Sequence, residues 1–231
     1  RDDPLPSRRL VTRVPRIDLH LHTTASDGHC SPDQLVALAA SMHLTVMGVT
    51  DHDTVAGVAD VRRAAGAVGI EVVAGIEITA IEGGRDVHVL GYFLDPGDDA
   101  LAQFLSAQRA ARRRRVEDIA QRLSELGMPI DIVALLAGAD AQDGRSIGRP
   151  QIARAMVAAG HVASIAEAVD KWLATGKPAF MPRDGALPVE GFEVIHRAGG
   201  LASLAHPGQT DRKSTRLNSS HTGISRMPSS A

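Results

Sequence analysis

The sequence predicts an α/β fold in which a parallel sheet is interrupted by an all-helical insertion. Strand and helix patterns alternate along residues 16–99, and a helix followed by a strand returns after residue 179, as in parallel α/β folds. Between residues 100 and 178 only helical patterns occur. We therefore divide the chain into an N-terminal arm (1–15), the first part of the α/β domain (16–99), the helical insertion (100–178), the remainder of the α/β domain (179–210) and a C-terminal tail (211–231).

The first part of the α/β domain is predicted from short apolar runs and from helix-start signals. Ser31 is placed as an N-cap, with Pro32 at the first helical position and Gln34 completing a capping box. In chain order we predict a strand at 16–20, a helix to about residue 42, a strand at 45–50, a helix at 58–68, and strands at 71–76 and 86–93.

The insertion and the return to α/β structure follow from helical periodicity and capping. We predict helices at 101–126, 130–136, 149–159 and 164–174, then a helix at 189–198 and a strand at 201–205. The longest of these helices carries four consecutive arginines at 112–115. Because a helix distributes four successive residues around all its sides, we predict a solvated, partly paired face there rather than an oligonucleotide-binding surface.

Composition excludes several classes of protein. The 231 residues carry a formal net charge of −2 and only 3% aromatic residues, which argues against bulk-charge coating of nucleic acid and against base-stacking platforms. No stretch has the roughly 18 apolar residues of a membrane helix, and the first residues lack the apolar core of a secretory signal. A single cysteine, Cys30, fits a reducing compartment. We expect a cytoplasmic protein that contacts no membrane and needs no obligate protein partner.

Histidines and carboxylates gather at the ends of the predicted strands. His20 and His22 are two residues apart on extended chain, so their imidazoles face the same way. Each residue alone is explained as well by a structural hydrogen bond or a turn, but burying the whole set without partners would be costly. Metal binding explains the set, because neutral histidine and ionised carboxylate are transition-metal ligands. The candidate ligands are His20, His22, Asp27, His52, Glu77, His88 and His206.

Five motifs resemble those of the PHP (polymerase and histidinol phosphatase) metallophosphoesterases. They are DLHLHTTASDG (18–28), TDHD (50–53), GIEIT (75–79), VHVLGY (87–92) and AHPG (205–208). The chain is most similar to stand-alone bacterial members that are 3′,5′-nucleotide bisphosphate phosphatases and 5′–3′ exonucleases. The resemblance implies a distorted (β/α)7 PHP barrel and up to three metal ions held by the seven residues above.

The predicted activity is a metal-dependent hydrolase acting on phosphate esters of nucleotides, as 3′,5′-bisphosphates, or of short oligonucleotides. Mixed histidine and carboxylate ligands favour Mn, with Zn or Fe as alternatives. The expected nucleophile is a metal-bound hydroxide, because a cation lowers the pKa of its bound water. Arg149, at a helix start, and Lys177 are candidates for binding a second phosphate of the substrate, and a solvated charge explains each about as well.

Two alternatives stay open. One is a small-molecule phosphatase of the histidinol-phosphatase type, and the other is a non-catalytic PHP module of the kind attached to DNA polymerases. The helical insertion and Lys177 favour nucleotide substrates over those of a small-molecule phosphatase. The nearly complete ligand set argues against the second.

The resemblance also predicts a truncated member with a foreign tail. Only five strands can be counted where the family barrel has seven, and no late Asp-x-His motif follows His206. Gln151 stands where the family's GRPH segment has histidine. The serine-rich stretch 211–231 is similar to translated adapter or vector sequence. We expect the chain as written to be aggregation-prone and weakly active or inactive, because an open parallel sheet leaves an unpaired edge.

Overall fold

The computed structural model describes residues 14–137 and 144–206. The predicted tail at 211–231, and all but the last two residues of the predicted arm at 1–15, lie outside the described residues. The predicted α/β class is confirmed, and every predicted helix and strand is present, although the strand predicted at 71–76 continues to Glu82. The elements are β1 (Ile17–Leu21), α1 (Pro32–Ser41), β2 (Val46–Val49), α2 (Ala56–Gly66), β3 (Glu71–Glu82), β4 (Arg85–Tyr92), α3 (Asp99–Glu125), α4 (Ile132–Ala137), α5 (Arg149–Ala158), α6 (Ile165–Ala168), α7 (Pro188–Arg197) and β5 (Leu201–Leu204).

The helix starts follow the capping signals of the sequence. The Ser31 side chain accepts a hydrogen bond from the Gln34 backbone N–H, and the Gln34 side chain accepts one from the Ser31 backbone N–H, so the predicted capping box is confirmed. Asp98 caps α3 in the same way, accepting from the Leu101 N–H at 2.8 Å. The helix predicted at 164–174 divides into α6 and a π-helical turn, Val169–Leu173.

The five strands form one sheet in chain order, β1-β2-β3-β4-β5. The pairs β1–β2 and β2–β3 are parallel, as the strand–helix alternation predicted. The pairs β3–β4 and β4–β5 are antiparallel, so the prediction of a wholly parallel sheet is wrong.

This difference arises because β3 is twice as long as predicted. It continues past residue 76 to Glu82, and Glu82 pairs with Arg85 across a two-residue turn. Both turn residues are glycines, and φ of Gly83 is 56° and φ of Gly84 is 75°. Two consecutive residues with positive φ form the tight turn that suits a twisted hairpin. The second half of β3 therefore pairs with β4 instead of ending at the sheet edge.

Helix α3 connects two apolar clusters. Its first half packs Leu101 and Leu105 among the side chains of β3, β4 and α7. Its second half packs Ile119 and Leu123 among the helices of the insertion. A third cluster lies between β1–β3 and the helices α1 and α2. The middle of α3 is thereby held at the junction of sheet and insertion.

Within the described residues, β1 and β5 are the outer strands of the sheet. The closed (β/α)7 barrel that the resemblance implies stays a prediction. None of the helices in the described part of the chain is long and apolar enough to cross a membrane.

Candidate metal centre

The structure brings all seven candidate ligands into one cluster at one edge of the sheet. Three groups of ligand atoms each lie within 4.8 Å of one another. The groups are His20, Glu77 and His206; His22, Asp27 and His52; and His52, Glu77 and His88.

Glu77 is the centre of this cluster. Its side chain is only 1% exposed. Oε2 lies 2.9 Å from His20 Nε2 and 3.1 Å from His22 Nε2, while Oε1 lies 2.7 Å from His88 Nδ1. Oε1 is also 3.7 Å from His206 Nε2. His52 Nδ1 lies 3.7 Å from Oε2, so one buried carboxylate faces five imidazoles at close range.

The backbone around Glu77 explains how it reaches this position. We predicted that β3 ends just before Glu77, and this is wrong, because Glu77 lies in the middle of β3. The chain after β2 continues to pair with it: the Glu77 N–H donates to Asp51 O at 3.1 Å, and the Asp53 N–H donates to Glu77 O at 3.0 Å. His52, between these two contacts, is thereby placed beside Glu77.

Asp27 joins the cluster from the loop after β1. Its carboxylate oxygens lie 3.4 Å from His22 Nδ1 and 3.8 Å from His52 Nε2. The loop is fixed by Asp51, which accepts hydrogen bonds from Thr23 N, Thr23 Oγ1 and Ser26 Oγ at 2.6–2.7 Å. Asp51 is 1% exposed and has this scaffold role instead of facing the cluster.

Gly28 closes the same loop against β1. A Cβ at this position would lie 2.4 Å from the backbone oxygen of His22. Only glycine permits that approach, so residue 28 sets the position of Asp27 beside His22.

The cluster shifts the pKa values of its members strongly. Burial raises the pKa of Glu77, but the hydrogen bonds from His20, His22 and His88 outweigh it and hold the pKa well below its usual range. Burial lowers the pKa of His22, but the hydrogen bonds to Asp27 and Glu77 raise it to about 9. Burial and the nearby Arg112 charge lower the pKa of His52 to about 3. Asp27 is kept ionised chiefly by His22, against the effect of its burial.

Divalent metal ions fit this set of side chains. Five imidazoles and two carboxylates converge, which is a transition-metal donor set. His22 Nδ1 is buried without a hydrogen-bond partner of good geometry, although Asp27 lies 3.4 Å away. A buried polar atom left in this state is costly, and a cation shared with Asp27 would satisfy it.

An arginine-rich cavity of about 270 Å³ adjoins the cluster. Asp27, His52 and His88 line it. Four arginines also line it and are called the arginine wall, which consists of Arg112, Arg115, Arg149 and Arg183.

Asp53 and Asp86 hold three of these arginines in place. Arg112 Nε donates to Asp53 Oδ2, and Arg183 lies 3.6 Å from the same oxygen. Asp86 accepts from Arg149 at 2.9 Å and lies 3.7 Å from Arg183. The four guanidinium groups exceed these two carboxylates by two. Burial and repulsion from Arg112 lower the pKa of Arg183 to about 9, against the attraction of both aspartates.

The prediction of a solvated arginine face is therefore wrong for Arg112 and Arg115. Arg112 is 10% exposed and paired with the fully buried Asp53. The Arg115 guanidinium donates to Met181 O at 3.0 Å and lies 5.9 Å from the centre of the Phe180 ring. Arg113 and Arg114 are exposed, as predicted. Amphipathic spacing does not reveal the difference, because Asp53 and Met181, which contact these arginines, lie 59 and 66 residues away along the chain.

The two candidate phosphate-binding residues have different positions. Arg149, the first residue of α5, lines the arginine-rich cavity. Lys177 is exposed and does not line it. Gln151, which stands in place of a family histidine, accepts from Gly148 N and donates to Ser26 O, tying α5 to the loop that carries Asp27.

Comparison with known proteins gives consistent results. The family model "PHP domain" matches residues 18–174. The 5′-3′ exoribonuclease Rnm of Escherichia coli is 35% identical over 195 residues, which are 83% of this chain and 65% of that protein. The 3′,5′-nucleoside bisphosphate phosphatase of Chromobacterium violaceum is 32% identical over 195 residues, 84% of this chain and 68% of that protein.

A solved structure from Bifidobacterium adolescentis, assigned as a metal-dependent phosphoesterase, superposes with a TM-score of 0.79 at 32% identity, over 87% of this chain and 70% of that one. The chain therefore spans about two thirds of the length of its relatives, and slightly less for the Escherichia coli protein.

Proposed function

Since this chain belongs to the PHP domain family, we propose that it is a metal-dependent phosphoesterase that hydrolyses nucleotide 3′,5′-bisphosphates or short oligonucleotides. The observation that carries the proposal is that members of the Glu77 cluster and four arginines line the same cavity. Relatives at 32–35% identity carry the names of both activities.

The seven clustered residues are the proposed metal ligands. Glu77 belongs to two of the three donor groups and His52 to two, so these side chains would be shared between ions. Mn²⁺ is the proposed metal, with Zn²⁺ or Fe²⁺ as alternatives, on the basis of the mixed donors. Divalent ions bound there would supply Lewis-acid activation of water and of the phosphate.

The arginine wall is the proposed binding surface for a second anionic group of the substrate. Arg149 and Arg115 line the same cavity as three of the ligands, and the wall keeps an excess of positive charge after the pairs with Asp53 and Asp86 are counted. Guanidinium groups bind phosphate through paired N–H donors. This excess favours a substrate with two phosphates over a monoester such as histidinol phosphate. The position of Lys177 gives it no support in this role.

Arg112 is proposed to hold the other residues of the arginine wall in position. It contacts Asp53, the Ile147 carbonyl and Thr79 Oγ1, which leaves few donors for a ligand. It therefore joins α3, β3 and the segment before α5 into one rigid wall. A rigid wall binds a phosphate at lower entropic cost.

A substrate screen of the full chain tests the proposal. The purified protein is incubated with Mn²⁺ and a 3′,5′-bisphosphate, a nucleoside monophosphate, histidinol phosphate or a 5′-phosphorylated oligonucleotide. We expect release of phosphate or mononucleotide from the first and last substrates, abolished by a chelator and by His22→Ala. Hydrolysis of histidinol phosphate alone would contradict the nucleotide proposal. Metal binding without hydrolysis of any substrate would contradict the proposal for this chain, and would fit either the non-catalytic module or the inactivity expected of a truncated member.

A further inference from the structure

We propose that a second cavity beside the metal centre binds a backbone phosphate of a single-stranded oligonucleotide, next along the strand from the phosphate that reacts. This inference rests on the proposed function and extends it to the path of the substrate. The cavity has a volume of about 330 Å³. It shares a wall with the arginine-lined cavity, formed by Ser26, Ser146, Ile147 and Gln151.

The charge of the second cavity suits a phosphate. Arg145, just before α5, and Arg154, on α5, line it together with His29. Among the described residues that line it, none is an aspartate or glutamate. Within residues 14–137 and 144–206, neither arginine has an ion pair to a carboxylate. Two arginines that line one concave surface and have no ion pair within these ranges attract an anion.

The shared wall has one hydrogen-bonding group to spare. The Ser26 hydroxyl donates to Asp51, and both ends of the Gln151 amide are used. Ser146 is 3% exposed, and its Oγ has no hydrogen-bond partner. Buried hydroxyls are rarely left without a partner. A phosphate oxygen lying between the two cavities would accept the Ser146 hydrogen bond.

The second cavity lies next to the metal ligands, so an oligonucleotide bound at the ligand cluster would extend into it. Ser26 and Gly28 line it, and they flank Asp27 in the loop after β1. A ligand with one phosphate at the ligand cluster therefore has its neighbouring group beside Arg145 and Arg154. The lining holds no Phe, Tyr or Trp, so base stacking is absent among these residues and binding would be independent of sequence.

Binding of a labelled oligonucleotide without metal tests this inference. The probe is a 5′-phosphorylated pentanucleotide with a fluorophore at its 3′ end, and anisotropy is measured with full-length protein in EDTA over a series of NaCl concentrations. The double variant Arg145→Gln/Arg154→Gln removes the two charges of the cavity. Arg62→Gln/Arg197→Gln is the matched control, since it removes two exposed charges on α2 and α7.

We expect the cavity variant to raise the Kd about tenfold or more, the effect of losing charge-assisted hydrogen bonds. The slope of log Kd against log salt should fall by about 0.7, because one single-strand phosphate contact is lost. The control should bind like the unsubstituted protein. Ser146→Ala should weaken binding without changing the salt dependence, because it removes a hydrogen bond and no charge.

Equal Kd values and salt slopes for the two double variants would overturn the inference, as would no binding by the unsubstituted protein. The proposed function fails differently, by the absence of hydrolysis of every phosphoester with Mn²⁺. A binding difference in EDTA would support the cavity even then. With a 3′,5′-bisphosphate as substrate, the cavity variant should keep a KM within about twofold of that of the unsubstituted protein, because the two phosphates of this ligand would occupy the metal centre and the arginine wall and leave none for the second cavity.

Discussion

Arg112, in the middle of α3, is ion-paired with Asp53, a fully buried aspartate that follows β2. Burial raises the pKa of Asp53, but the charges of Arg112 and Arg183 outweigh it and keep the carboxyl ionised. Asp53 also accepts from the Thr79 N–H at 2.8 Å, although its own φ of 51° is unusual for a residue other than glycine. This one carboxylate joins the sheet to the insertion beside the ligand cluster.

We predict that Asp53→Asn lowers the free energy of unfolding by about 3 kcal/mol or more, because it leaves the buried Arg112 without its counter-charge and removes one of the two carboxylates near Arg183. Urea denaturation of the full chain measures the change. Glu117→Gln is the matched control, since its pair with Arg113 is about half exposed and should contribute no more than about 0.5 kcal/mol. Equal losses for the two variants would show that the Asp53 pair is not structurally important.

We predict that Gly28→Ala weakens metal binding, because the added Cβ collides with the His22 backbone and displaces Asp27. Isothermal titration with Mn²⁺ measures the effect, and we expect at least about a tenfold increase in the metal Kd. Gly66→Ala adds the same methyl group at the end of α2, where no atom lies within 4 Å, and should leave the metal Kd unchanged. An unchanged metal Kd for Gly28→Ala would show that metal binding does not depend on how residue 28 positions the loop that carries Asp27.

We predict that Arg149→Ala reduces kcat/KM for a 3′,5′-bisphosphate about tenfold or more, with a smaller effect on a monophosphate, since one charge-assisted hydrogen bond is worth about 1.5–3 kcal/mol. Lys177→Ala removes the same charge outside the cavity and should change neither substrate by more than about twofold. If Lys177→Ala reduced kcat/KM for the bisphosphate more than Arg149→Ala did, Lys177 would be the residue that binds the second phosphate. Equal effects of Arg149→Ala on both substrates would remove Arg149 from that role.

Much of the candidate site could be predicted because its residues follow a local rule. His20 and His22 share a face of β1, and His52 and His206 come directly after strands that the apolar pattern indicates. Residues at one edge of a sheet meet in space whatever the details of packing. That these four histidines converge follows largely from strand assignment, whereas Glu77 and His88 lie inside β3 and β4 and join them through the hairpin. The role of all these side chains as metal ligands stays a proposal.

The length of β3 was missed although its signal is present. Ile76, Ile78 and Ala80 alternate with Glu77 and Thr79 up to the two glycines of the hairpin. All five are buried, so both faces of β3 are covered here. Polar residues inside a strand pattern ordinarily indicate that the strand ends. Glu77 and Thr79 are buried here because Glu77 contacts the histidines of the ligand cluster and Thr79 accepts a hydrogen bond from Arg112.

The arginine wall could not be predicted from the sequence. Arg112 pairs with a residue 59 positions away, and Arg183 lies in an extended segment without periodicity. Such pairs depend on how α3 packs between two apolar clusters, which spacing along the chain does not encode. The same packing decides that Arg149, and not Lys177, lines the cavity.

The metal content of the full chain and of Glu77→Gln tests the central claim most directly. Glu71→Gln is the control, because it makes the same substitution at the exposed first residue of the same strand. Proteins are purified from Mn-supplemented medium and analysed by elemental analysis alongside Mn²⁺ titration of the apoprotein. We predict bound transition metal in the unsubstituted protein and in Glu71→Gln, and at least about tenfold weaker binding in Glu77→Gln. Metal-free unsubstituted protein that does not bind Mn²⁺, Zn²⁺ or Fe²⁺ on titration would contradict the account.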